Sequence, residues 1–326
     1  MSNETRILVG SAGTASSINI IKSLKNYSDH SYYIHAIDCD ALAPGLFLAD
    51  SYTLVPPFKD TEHYLNALKE LQEKYQFDLF LPTYSRELEF IAANQDLLES
   101  IGLTTMLSSF EAISTCNHKK RMNQLVQDLG IQVPKAFSRN DIQAATELTH
   151  KLVVKPNTGS SSSGVLISGE LEVISKYYED EETQICQECI EGKEFTVDVF
   201  CNRSSEVKVI SVRERMSVKA GQVVKSINHN PDRFRTAVTQ ICKKIGIVGV
   251  CNIQFIENDQ NQLFFIELNP RFAAGGLMLT THAGANIPEL MVKEALSRPI
   301  DKNEYSVRVG VTMTRYWEEI FNDDSH

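Results

Sequence analysis

The sequence lacks long apolar runs and intact copies of the common nucleotide-binding loops. No segment approaches the ~18 consecutive apolar residues of a membrane-spanning helix. The amino terminus, MSNETRILVG, has no apolar leader of signal-peptide length. These absences predict a cytoplasmic protein with no membrane partner, and in that compartment we expect the seven cysteines to stay reduced.

Two further absences concern metals and nucleic acids. Cys186 and Cys189 form a lone C-x-x-C, without the second Cys or His pair that a zinc site needs, so we interpret them as small side chains on a strand. A net charge of -10 argues against nucleic acid as the main partner. The length of 326 residues suits two or three globular lobes.

The first third of the chain alternates predicted strands and helices. Strands are predicted at 6–10, 32–38 and 77–82, and a helix at 61–75. Such alternation is typical of a parallel sheet with crossover helices, so residues 1–112 are predicted to form an open α/β domain. Glu87 and Glu89 fall in the first turn of the next helix, where negative charge suits the helix dipole.

The turn after the first strand contains Gly10 and Gly13 but not the full G-x-G-x-x-G fingerprint. Asp38 lies where a ribose-binding acid would stand in a dinucleotide-binding unit, and it also suits a turn-capping role. We therefore disfavour an NAD-dependent oxidoreductase.

The rest of the chain is predicted to be rich in antiparallel strands, an α+β arrangement in two lobes at 113–185 and 186–326. A helix is predicted at 117–130, strands at 151–156, 165–167, 207–212 and 247–256, and a strand pair at 185–190 and 194–200. That pair is joined around Glu191-Gly192 and reads as an ordinary hairpin when it is taken in isolation.

The stretch FFIELNPRFAAGG, at 264–276, places polar side chains at the end of an apolar strand. Successive residues of a strand point to opposite faces, so Glu267 and Asn269 share one face. A hairpin with the preceding run, VCNIQFI, would set Gln254 beside Glu267. A carboxylate and amide oxygens are donors that Mg²⁺ prefers. The pattern predicts a metal site; the alternative is an edge strand with a wetted polar face.

A second motif, KLVVKPNTGSSSSGVLI at 151–167, carries a lysine inside an apolar strand. Lys155 ends the strand, and the following loop offers backbone N–H groups and hydroxyls that suit phosphate oxygens. The Walker pattern is missing, and a strand follows. We predict a flap over phosphate, with a plain hairpin loop as the alternative. The predicted ligating positions are Gly159, Ser160, Ser161, Ser162, Ser163 and Gly164.

Residues 208–235 form a basic segment inside an acidic chain, with seven Lys or Arg against two acidic residues and a net charge of +5. Arg215, Lys219 and Lys225 are our candidates for gripping phosphate or a substrate carboxylate. Solvated charge that compensates acidic neighbours explains the segment equally well.

The order and spacing of these segments resemble the ATP-grasp superfamily. TCNHKKRM, VVKPNTGSSSSGV, QECIEGKEFTVDV and the pair NIQF and FFIELNPRFAAGG are similar to its nucleotide-binding helix, flap, hinge and metal-binding hairpin. Within the superfamily the chain looks like short, stand-alone proteins related to the carbamoyl-phosphate synthetase large chain. The resemblance covers nearly the whole chain. It implies a pre-ATP-grasp, Rossmann-like domain followed by a two-lobed ATP-grasp domain.

The resemblance implies how the phosphates of ATP are held. Glu267 and Asn269, assisted by Gln254, would bind Mg²⁺, with Mn²⁺ as an alternative ion. Lys119 and Lys155 would neutralise phosphate charge.

It also implies how the rest of the nucleotide is held. Glu188 and the hinge backbone at Cys189 and Ile190 would meet adenine, and Glu194 would meet the ribose. Arg271 would face the γ-phosphate and the reacting carboxylate.

Proteins of this family join a carboxylate to an amine or a similar nucleophile, such as a thiol, through an acyl phosphate. We take Arg271, Lys155 and Lys225 as the catalytic candidates. The partners implied are small carboxylates and amines, with the acceptor site near 11–14 and 83–86. The oligomeric state stays open, with a homodimer as one alternative.

Two positions depart from the family pattern: Ser85 and His118 stand where relatives usually have Asp. Because the loop at Ser85 borders the expected acceptor site, substrates of relatives do not transfer to this chain. The other readings are an ATP-dependent kinase, a carboxylase-like enzyme that activates bicarbonate, and a nucleotide-binding regulatory protein without turnover.

Overall fold

The computed structural model describes residues 4–159, 164–219 and 221–321, and within these residues the strands form three sheets. In the same part of the chain, each helix is too short or too polar to span a bilayer.

The first sheet is parallel, as the strand–helix alternation predicted. Its strands are β1 (Thr5–Val9), β2 (Tyr32–Asp38), β3 (Ser51–Leu54) and β4 (Leu79–Leu81). They pair in the order β3-β2-β1-β4. Helices cover both faces, which is why β1 reads as an apolar run and not as an alternating one. These helices are α1 (Ala15–Asn26), α2 (Thr61–Tyr75), α3 (Ser85–Ala93) and α4 (Gln95–Ser100).

Two helices connect the first sheet to the rest; the second lies within the helix predicted at 117–130, and the first was not predicted. They are α5 (Phe110–Asn117) and α6 (Lys119–Asp128). The break is His118, whose backbone is extended and whose Nδ1 accepts the Arg121 N–H at 3.3 Å. His118 therefore serves as the N-cap of α6, a role for which Asp is also well suited.

The second sheet is small and antiparallel, with the order β5-β8-β6-β7. Its strands are β5 (Ala136–Phe137), β6 (Leu152–Pro156), β7 (Leu166–Ser168) and β8 (Gln184–Glu188). Helices α7 (Arg139–Ala144) and α8 (Leu171–Tyr177) bury an apolar cluster against it.

The third sheet has six antiparallel strands in the order β13-β12-β9-β10-β11-β14. They are β9 (Lys193–Cys201), β10 (Val207–Lys219), β11 (Gln222–His229), β12 (Gly249–Glu257), β13 (Leu263–Asn269) and β14 (Thr312–Thr314). The accompanying helices are α9 (Asp232–Ile245), α10 (Leu277–His282) and α11 (Ile287–Ala295). Short 3-10 helices at Pro44–Phe47 and Lys302–Tyr305 complete the elements.

The strand pair predicted at 185–190 and 194–200 is wrong. β8 pairs with β5 and β6, whereas β9 is bonded along both edges by β10 and β12. With both edges of β9 occupied, β8 has no edge of that strand to pair with. Residues 189–192 are therefore a hinge between two sheets. The predicted lobe boundary at 185 falls inside β8, and we propose the end of β8 as the boundary.

Apolar residues of the first and third sheets share one core. Ile7 and Ile20 from the first domain cluster with Phe200 of β9 and with Leu290 of α11. α1 packs against α10 and α11. This shared core fixes the loops of the first sheet beside the segment that follows β13.

A buried ion pair inside the third sheet should dominate the polar contribution to stability. Arg213 binds Asp198 with both Nε and Nη2, at 2.7 and 2.8 Å, and both side chains are nearly inaccessible. We expect Asp198→Ala to lower the free energy of unfolding by about 3–5 kcal/mol, because it strands a buried guanidinium. Urea denaturation followed by circular dichroism measures this.

The control is Glu191→Ala, which breaks the exposed ion pair between Lys151 and Glu191. Exposed pairs contribute little, so this variant should unfold at the wild-type urea midpoint. Equal destabilisation by both variants would contradict the assigned importance of the buried pair.

Candidate functional site

A cavity of about 740 Å³ is lined by β6 and β8 on one side and by strands of the third sheet on the other. The described site residues predicted from the sequence that line it are Lys119, Lys155, Gly159, Glu188, Cys189, Ile190, Glu194, Arg215, Gln254, Glu267, Asn269 and Arg271. The fold thus gathers into one cavity residues that lie up to 152 positions apart in the chain.

The floor of the cavity is a row of cross-strand partners. Glu267 on β13 lies opposite Gln254 on β12, which is the pairing that the sequence predicted. The row continues through Thr196 on β9 to Arg213 on β10. Directly opposed residues of an antiparallel sheet point to the same face, so these side chains all face the cavity.

The metal-ligand candidates sit at the β13 end of this row. Asn269 Nδ2 donates to Glu267 Oε1 at 3.0 Å, and it lies 3.4 Å from Asn252 Oδ1. Asn252 in turn donates to the Arg271 carbonyl at 2.9 Å. The carboxylate and the amides are therefore held by one another and by the rigid hairpin.

Lys155 is buried in the cavity wall. Its position near the end of β6 leaves it 9% exposed, and burial lowers the pKa of its ammonium group to about 8, against the opposing pull of Glu267. Burial likewise lowers the pKa of Lys119, whose Nζ donates to the Gly159 carbonyl at 2.9 Å. The Lys119 N–H donates to the Asn157 carbonyl, which fixes α6 against the end of β6.

Arg271 joins the cavity to the first domain. Its Nε donates to Ser85 Oγ, at the start of α3, at 2.8 Å, and its Nη1 donates to the Phe272 carbonyl. Burial lowers the pKa of this guanidinium, and Glu267 opposes the shift. Ser85 therefore contacts the predicted reaction centre directly from the first domain.

The segment that follows Arg271 is held by α1. Ser16 Oγ donates to the Phe272 carbonyl at 3.1 Å, and Asn19 Nδ2 donates to the Ala274 carbonyl at 3.1 Å. The first domain thus sets the path of the backbone that leaves the metal-ligand candidates.

At the hinge, several polar groups that were predicted to contact adenine and ribose are hydrogen-bonded within the protein. Glu188 Oε1 accepts the Lys135 N–H at 2.8 Å, and the Cys189 N–H donates to the Lys151 carbonyl at 3.0 Å. Glu194 is exposed and accepts from Arg215 Nε at 2.9 Å. In this arrangement the charge of Arg215 is directed at Glu194.

Lys225 is not brought to the cavity lining. Arg215 faces the cavity and lies opposite Ser226 in the β10–β11 register. Neighbouring residues of a strand point to opposite faces, so Lys225 points away from the cavity, and its side chain is exposed. Lys219 is also exposed and lies outside the lining. The geometry gives no support to a catalytic role for Lys225.

The predicted flap is described only at its ends. Gly159 lines the cavity, whereas Gly164 does not; a β-carbon at Gly164 would stand 3.0 Å from Cγ of Pro156. The four serines predicted to ligate phosphate, 160–163, lie outside the described residues.

The two loops predicted to border the acceptor site meet at one edge of the first sheet. Thr14 Oγ1 lies 2.9 Å from Thr83 Oγ1. Glu87 lies in the first turn of α3, as the sequence predicted. It is buried, accepts from Ser11 Oγ and from Tyr64 OH, and burial raises the pKa of its carboxyl group. It fixes the turn after β1.

Sequence reasoning did not select Thr196 and Arg213 of the cavity floor. The signal was present in EFTVDVF, where Glu194, Thr196 and Asp198 alternate with apolar residues. Alternation marks a strand with one polar face, but it does not reveal that this face lines a cavity.

Two family models match the chain. A PylC-like, N-terminal domain matches residues 7–106, and an ATP-grasp domain matches residues 116–275. Among curated relatives, a carbamoyl-phosphate synthase of Methanobrevibacter smithii is 20% identical over 319 residues, covering 89% of this chain and 85% of the relative. The arginine-specific large chain of carbamoyl phosphate synthase from Bacillus subtilis is 23% identical, covering 65% of this chain.

Solved structures share the fold at low identity. The biotin carboxylase domain of Hydrogenobacter thermophilus 2-oxoglutarate carboxylase aligns with a TM-score of 0.74 at 18% identity, covering 94% of this chain and 73% of that one. The L-amino acid ligase of Bacillus licheniformis aligns with a TM-score of 0.70 at 16% identity, covering 96% and 79%.

The chain therefore carries an ATP-grasp domain behind a PylC-like N-terminal domain, and it is homologous to the carbamoyl-phosphate synthase large chain. The fold and the resemblance predicted from the motifs are confirmed. The chain spans only 21% of the Bacillus large chain.

The lowered pKa of Lys155 should make nucleotide binding depend on pH. Bound phosphate favours the charged ammonium, whereas the free protein begins to release that proton near pH 8. MgADP affinity should therefore fall roughly tenfold between pH 7.5 and pH 9. Isothermal titration calorimetry across this range measures the change.

The control is Lys155→Arg, because a guanidinium keeps its proton throughout this range. Its affinity should depend much less on pH. Without nucleotide, the folded wild-type chain should gain stability as pH rises from about 8 towards 10.5, since the unfolded chain then binds the extra proton. If the MgADP affinity of the wild type did not change with pH, Lys155 would not belong to the nucleotide site.

Proposed function

We propose that the protein is an ATP- and Mg²⁺-dependent ligase that joins a small carboxylate to an amine, or to a thiol, through an acyl phosphate. The observation that carries the proposal is the arrangement of three cations, Lys119, Lys155 and Arg271, around the single carboxylate of Glu267. Among the described residues none of the three cations has an ion-pair partner within 4 Å. A buried surplus of positive charge suits a polyanionic ligand.

The donor set beside these cations fits Mg²⁺. Glu267 supplies a carboxylate, and Gln254 and Asn269 supply amide oxygens from neighbouring positions of one hairpin. Mg²⁺ often takes few protein oxygens and leaves its other positions to phosphate and water. When bound, the ion would neutralise phosphate charge. The biotin carboxylase domain with the same fold was solved with MgADP, which supports this choice of ligand.

The positions of the three cations suggest different roles for them in phosphate binding and in phosphoryl transfer. Lys119 and Lys155 lie at the junction of α6 and β6, where they would hold the phosphates. Arg271 lies between Glu267 and the first domain, where it would stabilise negative charge on the transferring phosphoryl group. Transfer of this kind depends mainly on position and on cations that stabilise spread charge, so no nucleophilic side chain is required.

The acceptor is proposed to enter from the edge of the first sheet. The loops at 11–14 and 83–86 meet there, and Ser85 in the second loop contacts Arg271. The carboxylate to be activated would then meet the γ-phosphate beside Arg271.

Glu267→Gln should abolish turnover, because it removes the only carboxylate of the proposed metal set while retaining its shape. We expect ADP release from ATP to fall at least about a hundredfold when a substrate pair is supplied. A coupled ADP assay over pairs of L-amino acids measures this. The matched control is Glu206→Gln, at an exposed surface pair with Lys208.

Two results would refute parts of the proposal. Equal ADP release by Glu267→Gln and the wild type would reject the metal assignment. MgATP binding without ADP release from any pair would favour a regulatory nucleotide-binding protein over a ligase.

Ser85→Ala should slow turnover without weakening nucleotide binding. The substitution removes the hydroxyl that accepts from Arg271 Nε, so the guanidinium loses its orientation. The loss of a hydrogen bond to a charged group should lower kcat roughly tenfold. The Kd of MgADP should stay at the wild-type value. Steady-state kinetics and calorimetry separate the two effects.

The matched control is Ser85→Thr, which keeps the hydroxyl and should retain most of the activity. Weaker MgADP binding by Ser85→Ala, with kcat unchanged, would contradict a role for Ser85 in orienting Arg271.

A further inference from the structure

The cavity floor carries two buried polar side chains that its proposed nucleotide chemistry does not use. Thr196 and Arg213 lie directly opposite each other on β9 and β10, and both line the cavity. They are only 4% and 1% exposed. Among the described residues, Thr196 Oγ1 and Arg213 Nη1 have no hydrogen-bond partner. Buried polar atoms without partners are rare and destabilising, so a ligand that bonded to both atoms would stabilise the cavity floor.

Two of the guanidinium nitrogens of Arg213 are hydrogen-bonded, and the third has no partner among the described residues. Its Nε and Nη2 are bound to Asp198, whose Oδ2 also accepts from Thr280 Oγ1 at 2.6 Å. The remaining nitrogen, Nη1, lies against Gly276: a β-carbon at that position would stand 2.0 Å from it. The glycine therefore makes room for this guanidinium beneath the segment that follows Arg271.

A second guanidinium reinforces the positive potential at this end of the cavity. Burial lowers the pKa of Arg315, and the charge of Arg213 lowers it further, so the two groups are close enough to repel each other. Arg315 donates to Gln222 Oε1 and to the Val223 carbonyl, and both of those residues line the cavity. In the described part of the chain, no carboxylate lies within 4 Å of Arg315.

We propose that Thr196 and Arg213 form an anion subsite that binds the carboxylate of the amine substrate, so that the amine substrate is an amino acid or a peptide with a free carboxyl terminus. The role of this carboxylate in a ligation rests on the proposed function; the existence of the subsite does not.

Distance separates Arg213 from the proposed phosphate position. Glu267 and Arg213 are three strands apart in the same row, which corresponds to roughly 14 Å between their backbones. Thr196 lies between them, directly opposite Gln254, so a molecule bound at Thr196 and Arg213 would adjoin a nucleotide held at Glu267.

Charge favours a carboxylate over a phosphate at this position. Asp198 already neutralises Arg213, so the subsite offers one hydroxyl and one N–H, and its surplus charge is the single charge of Arg315. Two donors match the two oxygens of a carboxylate, whereas a phosphate dianion would need more donors and more positive charge to leave water.

The test measures binding without turnover. Each proteinogenic L-amino acid and its carboxyl-terminal amide is titrated into the full chain with MgADP present, and thermal melting is followed. At least one free acid should raise the melting temperature, and its amide should not. Thr196→Val should weaken the Kd of that acid about tenfold, because a hydrogen bond to a charged group is lost. Thr196→Ser keeps the hydroxyl and should bind as the wild type does.

Stability without added acid distinguishes binding from folding. Because Thr196 Oγ1 has no partner in the described structure, Thr196→Val should melt at or above the wild-type temperature. A variant that merely damaged the fold would melt lower and would bind MgADP more weakly.

Three results would overturn the subsite: no amino acid shifts melting, acids and amides bind equally well, or Thr196→Val binds the acid as tightly as Thr196→Ser. Stronger stabilisation by inorganic phosphate than by any acid would overturn the choice of a carboxylate. If an acid binds as expected but no pair releases ADP, the subsite is supported and the ligase proposal fails.

Discussion

Three cations share one carboxylate at the end of β13, and burial makes that arrangement costly in the absence of a ligand. Burial lowers the pKa of Lys155, Lys119 and Arg271, and Glu267 opposes the shift of each without cancelling it. At this end of the cavity the three cations thus carry more charge than Glu267 neutralises. A bound polyanion would relieve this imbalance, so the same groups that destabilise the empty cavity favour nucleotide binding.

Such a concentration of charge requires a rigid frame, which two features of the fold supply. The β12–β13 hairpin sets Glu267 beside Gln254, and β9 and β10 extend the same row of side chains across the sheet. The small sheet brings Lys155 over this row, and the hinge at 189–192 connects the two sheets. Residues that are distant in sequence meet because neither sheet by itself encloses the cavity.

Local patterns predicted much of this arrangement. Period-two alternation correctly paired Gln254 with Glu267, and the apolar strand ending in Lys155 was found within one residue of its observed start. The partners of β8 were mispredicted because a strand's sequence does not encode which edge it will find. The orientation of Lys225 was missed for a related reason: the register between β10 and β11 shifts at irregularities near Ser217, which composition does not reveal. Thr196 and Arg213 were overlooked because a polar face looks the same in sequence whether it meets water or encloses a ligand.

The hydrogen bond from Arg271 to Ser85 of the first domain explains in physical terms what a serine does at position 85. An Asp at this position would form an ion pair with Arg271 and would compete with Glu267 and any bound phosphate for its charge. A serine hydroxyl accepts one hydrogen bond from Nε and leaves the charge of the guanidinium uncompensated. The first domain thereby fixes the direction of Arg271 without neutralising it. Since Ser16 and Asn19 hold the next residues of the same segment, a molecule bound at the edge of the first sheet would contact the elements that position this arginine. Acceptor binding and phosphoryl transfer would then be coupled through one short stretch of backbone, which does not require a large movement of the domains.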